Sequence, residues 1–158
     1  MGTERESVGS LFPFVTPDEL DRYLPYLLTR ISHIWNSQQA DVLAEAGISK
    51  AEMRVLSCLS AYGELTVGEI STLSVIEQSS ASRTVDQLVM SGMVERHIGQ
   101  DDQRKRTVVL TNKGAERLSA MAPFINQQFS AFVEGIDADS LNTAVRVLCA
   151  ILDRHGDR

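Results

Sequence analysis

Two cysteines and four prolines in 158 residues leave this chain few covalent or conformational staples, so its stability has to come from packing. At that length one domain can bury an adequate core unaided. Cys58 and Cys149 lie far apart, each within a helix-like apolar segment, and form no Cys-x-x-Cys motif. They are expected to be small buried hydrophobes in a reducing compartment, which points to the cytoplasm. No apolar run approaches the roughly 18 residues a membrane-spanning helix needs, so no membrane partner is expected. The opening MGTERESVGS carries both charge signs and no apolar stretch, and reads as a polar lead-in rather than a secretory signal. Gly-x-Gly-x-x-Gly, a phosphate loop and His-Glu-x-x-His are all missing. The three histidines, His33, His97 and His155, fall on three different expected elements, and no His, Cys and carboxylate spacing suggests a metal site. Neither catalytic residues nor a cofactor nor a metal is therefore expected.

Positive charge is also scarce overall, but its placement is informative. The net charge is −6, yet residues 78–113 hold six basic groups (Arg83, Arg96, Arg104, Lys105, Arg106, Lys113) against four acidic ones (Asp86, Glu95, Asp101, Asp102). That segment is +2 and the remainder −8. An acidic body with one locally basic stretch suits a protein that presents a single face to phosphate.

Periodicity and punctuation define the elements. Thr16-Pro17-Asp18-Glu19 starts a helix, with a capping hydroxyl, a proline in the first turn and acids at the positive end of the dipole. Pro25 is expected to break or kink the helical segment around it. Leu24, Leu27, Leu28, Ile31, Ile34, Trp35 and Val42 then mark a long amphipathic helix that Gly47 closes. Ser49-Lys50-Ala51-Glu52 and Thr66-Val67-Gly68-Glu69 are capping boxes. The second opens a short helix, and another runs from about Glu77 to Ser91, with Ala81, Val85 and Leu88 inward and Gly92 as its stop. Two short helices with small Ala81 at their approach describe a helix-turn-helix. Val94–Ile98 and Thr107–Leu110 flank a turn-rich Gly99–Gln103, which gives a hairpin in the position of a wing. Thr111 and Asp137 cap two further amphipathic helices, the first containing Pro123, which should kink it.

Two motifs carry a family resemblance. The first is Gln78-Ser79-Ser80-Ala81-Ser82-Arg83-Thr84-Val85-Asp86, with Leu88 and then Ser91-Gly92-Met93-Val94-Glu95-Arg96. The second is Asp102-Gln103-Arg104 followed by Leu110-Thr111-Asn112-Lys113-Gly114. In this order and spacing the chain resembles the MarR family of multiple-antibiotic-resistance-type regulators. The resemblance implies a mainly α fold with a small β-hairpin wing, in a single domain over residues 1–158. Dimerisation elements at 17–47 and 112–155 would flank a winged helix-turn-helix lobe at 48–111. It further implies a sequence-specific, homodimeric transcriptional regulator, expected to repress, acting on duplex DNA at a pseudo-palindromic operator. Glu77 departs from the Ser or Thr cap that relatives often carry, and its charge would repel a nearby phosphate.

The expected DNA contacts are Thr66, Gln78, Ser79, Ser80, Ser82 and Arg83 around the helix-turn-helix, and Arg104, Lys105 and Arg106 in the wing. Gln78 suits an adenine edge, the serines suit phosphate or sugar, and Arg83 suits phosphate or guanine. By resemblance Arg104 enters the minor groove, where negative potential is concentrated, while Asp102 orients it. A generic solvated helix face is the alternative, although three serines mid-helix are poor helix formers. The resemblance also implies release by a small aromatic or phenolic anion bound between the dimerisation helices and the winged lobe. Tyr26, Arg30, His33 and Trp35 are the candidate contacts. Arg30 and His33 share a helix face as a carboxylate clamp would require. Trp35 also fits core packing, and Arg30 an acid across the dimer. A thiol-oxidation or metal-sensing regulator of the same fold, and a winged helix used only for protein contacts, stand as the competing readings. Oxidation sensors of this family carry the reactive cysteine early in the first helix, and residues 1–57 contain none.

Overall fold

The computed structural model of the chain describes residues 12–98 and 106–156. Their order is α1 (Pro17–Asp21), α2 (Leu24–Glu45), α3 (Lys50–Tyr62), β1 (Leu65–Thr66), α4 (Val67–Ser74), α5 (Gln78–Met90), β2 (Val94–Ile98), β3 (Arg106–Leu110), α6 (Asn112–Phe132) and α7 (Ala138–Arg154). This is the expected mainly helical architecture with a small antiparallel sheet. The residues divide into two compact units, with the boundary after Gln39 inside α2.

In the first unit Thr16 and Glu19 form the expected capping box at the start of α1. The Phe14 ring packs on Phe12 and Tyr23, at centroid distances of 5.7 and 5.0 Å. The chain break falls ahead of Pro25, at Arg22 and Tyr23, because Pro25 sits in the first turn of α2. A proline there forfeits no intrahelical hydrogen bond, so it opens the helix rather than kinking it.

In the second unit, capping boxes at Ser49–Glu52 and Thr66–Glu69 start α3 and α4. Each satisfies two helix-end donors reciprocally. The core joins Leu43 and Ile48 to Val55, Leu56 and Leu59 of α3, Ile70 of α4, and Ala81, Val85 and Leu88 of α5. Leu65, Val94, Val108 and Met121 complete it from the strands and α6. Ala81 is fully buried, and a side chain this small allows the two helices of the motif to approach. The turn between them is fixed three ways. Arg54 donates to the Ser74 and Val75 carbonyls at 3.4 Å. Ser71 donates its hydroxyl to the Ile76 carbonyl at 2.7 Å. Val75 itself is held left-handed at φ +53°.

The hairpin has the register Val94↔Leu110 to Ile98↔Arg106. A strand not expected from periodicity, β1, adds to the other side of β3 through Leu65↔Val108 and Thr66↔Thr107. Pairing on both sides makes β3 the central strand, and Thr107 and Val108 are buried in succession. In β2 only Val94 is buried, so its alternating sequence reflects no alternating burial.

At the root of the hairpin α6 approaches the backbone very closely. Thr111 caps α6 by accepting from the Gly114 amide and donates its hydroxyl to the Gly92 carbonyl at 2.8 Å. Its own amide bonds the Met93 carbonyl at 3.1 Å. A Cβ on Gly114 would collide with that same Met93 oxygen. The helix then continues through Pro123 to Phe132. Arg117 of α6 also donates to the Ala46 carbonyl at the end of α2.

Two substitutions probe these constraints. Gly114→Ala should lower stability by about 2–3 kcal/mol, because backbone rather than a flexible side chain must yield. Val75→Asn should raise it by about 1 kcal/mol, since asparagine tolerates the left-handed region that a β-branched residue resists. Thermal unfolding at one fixed protein concentration measures both. An unchanged Gly114→Ala would mean the close approach is not required.

Candidate nucleic-acid interface

The DNA-facing candidates are positioned by α5. Its inward face is Ala81, Thr84, Val85 and Leu88, all buried. The spacing of 3.6 residues per turn then places Ser79, Arg83, Asp86 and Met90 along the opposite stripe, and all four are exposed. Gln78 is exposed at the helix start. Ser80 and Ser82 are half-buried flanks of the stripe rather than its centre, and the Ser80 carbonyl accepts from Thr84 at 2.8 Å. Thr66 is committed locally as the cap of α4. Its hydroxyl accepts from the Glu69 amide and donates to the Glu69 carboxylate at 2.8 Å.

Two acids on or beside this surface are not among the contacts expected from sequence. Asp86 pairs with Arg96 of β2 at 2.6 Å, tying the recognition-helix candidate to the first wing strand. Counting from Ser79 in steps of four and three residues already places Asp86 on the outer face. Its partner could not be read without the strand's position. Glu77, at the N-cap of α5, makes no side-chain capping bond. Its carboxylate instead accepts the Ser79 hydroxyl. That bond chiefly holds its pKa below the usual carboxylate value, with help from the Ser79 and Ser80 amides and the Arg83 charge. Glu77 is therefore ionised throughout the neutral range.

In the wing, Arg106 is exposed at the start of β3, opposite Ile98. Asp102, Arg104 and Lys105 lie outside the described residues. Lys113 is anchored at the junction, donating to the Ser91 carbonyl at 2.7 Å.

On α2 the structure brings together two of the four effector candidates. The Arg30 guanidinium lies 5.5 Å from the Tyr26 ring centroid and 3.4 Å from an Asp21 carboxylate oxygen. The acid partner is thus supplied within the same chain. His33 is exposed and Trp35 half-buried. None of the four lines the cavity of about 520 Å³ formed around Tyr62, Leu65, Glu69 and Leu73.

The thiol alternative finds little chemical support at Cys58. Burial pushes its pKa up, and the neighbouring Arg54 charge only partly opposes this. A thiol held protonated is a poor nucleophile. Among the described residues no group of three or more His, Cys, Asp or Glu could hold a metal ion, and no helix is long and apolar enough to cross a membrane.

Comparison with known proteins agrees with this geometry. The sequence model of the MarR family matches residues 48–105, which span α3 through the wing. A MarR family transcriptional regulator from Silicibacter pomeroyi is similar at 51% identity and a TM-score of 0.86, covering 91% of this chain and 97% of that one. A second MarR family regulator from Silicibacter pomeroyi shares 30% identity, with a TM-score of 0.77 and coverage of 85% and 91%. The Bordetella bronchiseptica protein BpsR, whose DNA binding is regulated by 6-hydroxynicotinic acid, shares the fold at 20% identity, with a TM-score of 0.70 and coverage of 80% and 96%.

Proposed function

The chain belongs to the MarR family of transcriptional regulators, and from that premise we propose that it is a homodimeric repressor of a pseudo-palindromic operator, released by a small aromatic or phenolic anion. It is a regulator and not an enzyme. The exposed stripe of α5 carries the DNA-binding part of this reading: short polar Ser79 and cationic Arg83 stand on a helix locked to its partner by a fixed turn. That combination suits close approach to a groove, with phosphate contacts setting position and base contacts setting sequence. The lobe at 48–111 would hold these contacts, with Gln78, Ser80, Ser82 and Thr66 near the helix ends and Arg104, Lys105 and Arg106 in the wing. Two thiols without a disulfide suit a cytoplasmic protein.

Exposed apolar surface supports the dimer. No residue of α7 is buried within the chain, although Val145, Val147, Ile151 and Leu152 are all large hydrophobics. Leu28, Ile31 and Ile34 of α2 and Phe124 of α6 are similarly exposed. A second copy related by a two-fold axis would cover such faces, assigned to segments 17–47 and 112–155. The operator half-sites would then lie about one helical turn, roughly 10 base pairs, apart.

Binding to duplex DNA should be steeply salt-dependent, and Arg104→Ala should weaken it by about 1–3 kcal/mol at physiological salt. Sedimentation should show a dimer at micromolar concentration. Salt-independent binding to random duplex would favour a winged helix used for protein contacts. A stable monomer would remove the operator symmetry, and an Arg104→Ala that binds like the parent would remove the wing contact.

For the effector, Tyr26, Arg30, His33 and Trp35 remain the proposed contacts. The Arg30–Asp21 pair is long and about half exposed, so an arriving carboxylate can replace Asp21 at little cost. An aromatic carboxylic acid acts on DNA binding in BpsR, a protein of the same fold. Titrating a panel of aromatic acids, with Trp35 fluorescence and DNA binding followed together, should find compounds that release DNA by 5- to 150-fold. Arg30→Ala and His33→Ala should blunt that release; if they leave it intact, the pocket lies elsewhere.

A further inference from the structure

We infer that Glu77 is a specificity-determining residue of the DNA contact, an acceptor that selects cytosine through its exposed N4 amino group. The inference rests on the DNA-binding reading above and adds to it the base that one position prefers.

Three observations lead there. Glu77 stands directly before α5, at the end of the stripe that a helix-turn-helix directs toward base edges. Its carboxylate is exposed and does not cap the helix; the hydroxyl of Ser79 donates to it instead. The other acid of the surface, Asp86, has its charge answered by Arg96 at 2.6 Å, whereas Glu77 has no ion-pair partner among the described residues. An unpaired carboxylate facing DNA is repelled by phosphate unless it meets a donor.

Base chemistry then narrows the donor. A carboxylate offers acceptors only. In the major groove guanine presents two acceptors, O6 and N7, and thymine presents the O4 acceptor with a methyl group. Adenine offers its N6 amino group, but beside the N7 acceptor, which would face the second carboxylate oxygen. Cytosine presents its N4 amino group with no neighbouring acceptor, so it is the one base a carboxylate meets without opposition. The Ser79 bond occupies one lone-pair site and steadies the group, leaving further acceptor sites for the base. While that bond persists, Ser79 has no proton to give to phosphate and serves as a positioning residue for Glu77.

The test is selection from a pool of duplexes with a randomised central segment, using the full chain, Glu77→Gln and Glu77→Ala. The parent should enrich a cytosine at one position of each half-site. Glu77→Gln should move that position to adenine, glutamine's bidentate partner, and Glu77→Ala should leave it degenerate, with the other positions unchanged. Replacing that base pair should weaken the parent about 5- to 150-fold and Glu77→Ala hardly at all. If all three proteins enrich the same bases, or the variants merely bind every duplex more tightly, Glu77 is only a repulsive charge and the inference is overturned. If the parent enriches nothing from the pool, the DNA-binding reading itself fails, and this inference with it.

Discussion

The Met93 carbonyl is the point on which several parts of this protein converge. It accepts the Thr111 amide, and Gly114 lies so close that no side chain fits between them. Around it the Gly92 carbonyl takes the Thr111 hydroxyl, and the Ser91 carbonyl takes the Lys113 ammonium. The end of α5, the first strand of the wing and the first turn of α6 therefore share one hydrogen-bonded knot. Each carbonyl in it would otherwise be an unsatisfied helix end or turn. Because the knot is packed against backbone, α5 and the hairpin cannot turn independently of the start of α6. The Asp86–Arg96 pair adds a second strut between α5 and β2, further along the helix.

That stiffness has consequences for electrostatics. A lobe presenting a surface to phosphate within an acidic chain must keep its few cations where they matter. Arg96 and Lys113 are both used structurally, Arg96 on Asp86 and Lys113 on a backbone carbonyl. Arg54 is likewise spent on the turn, where its two weak bonds help hold Val75 left-handed. The basic residues remaining at the surface of α5 and the described wing are Arg83 and Arg106. With so few phosphate contacts per lobe, the pairing of two lobes becomes important for affinity, because linking two sites multiplies their effect without new contacts.

Much of this was legible in the sequence because it is written locally. The three capping boxes at Thr16, Ser49 and Thr66 need only a hydroxyl and a glutamate three residues on, and each forms as the spacing indicates. Ala81, Val85 and Leu88 declare the inward face of α5 by helical period, and all are buried. What escaped was set by distant partners. Strand β1 is two residues long and exists only because β3 passes beside Leu65 and Thr66. The resemblance marked Gly114 as part of a motif, but the reason for it, the Met93 oxygen, lies 21 positions earlier in the sequence. Helical period alone would have centred the outer stripe on Ser79 and Arg83 rather than Gln78 and Ser82, a matter of counting from the buried face. The wing tip, with Asp102, Arg104 and Lys105, is where only the resemblance speaks.

On the dimer reading, the knot also decides how a small ligand can act. The lobe resists internal distortion, since moving α5 alone would break several hydrogen bonds and force backbone into Gly114. The softer coordinate is the one set by exposed apolar faces, where α7 buries nothing within its own chain. Contacts of that kind can slide or rotate without leaving polar groups unsatisfied. A ligand that favours one packing of the dimerisation helices over another would carry both lobes along as rigid bodies, changing the spacing of their recognition helices. The energy needed is only the difference in ligand affinity between the two packings. A stiff reader on an adjustable base thus lets a few contacts on α2 control an interaction made entirely by other residues.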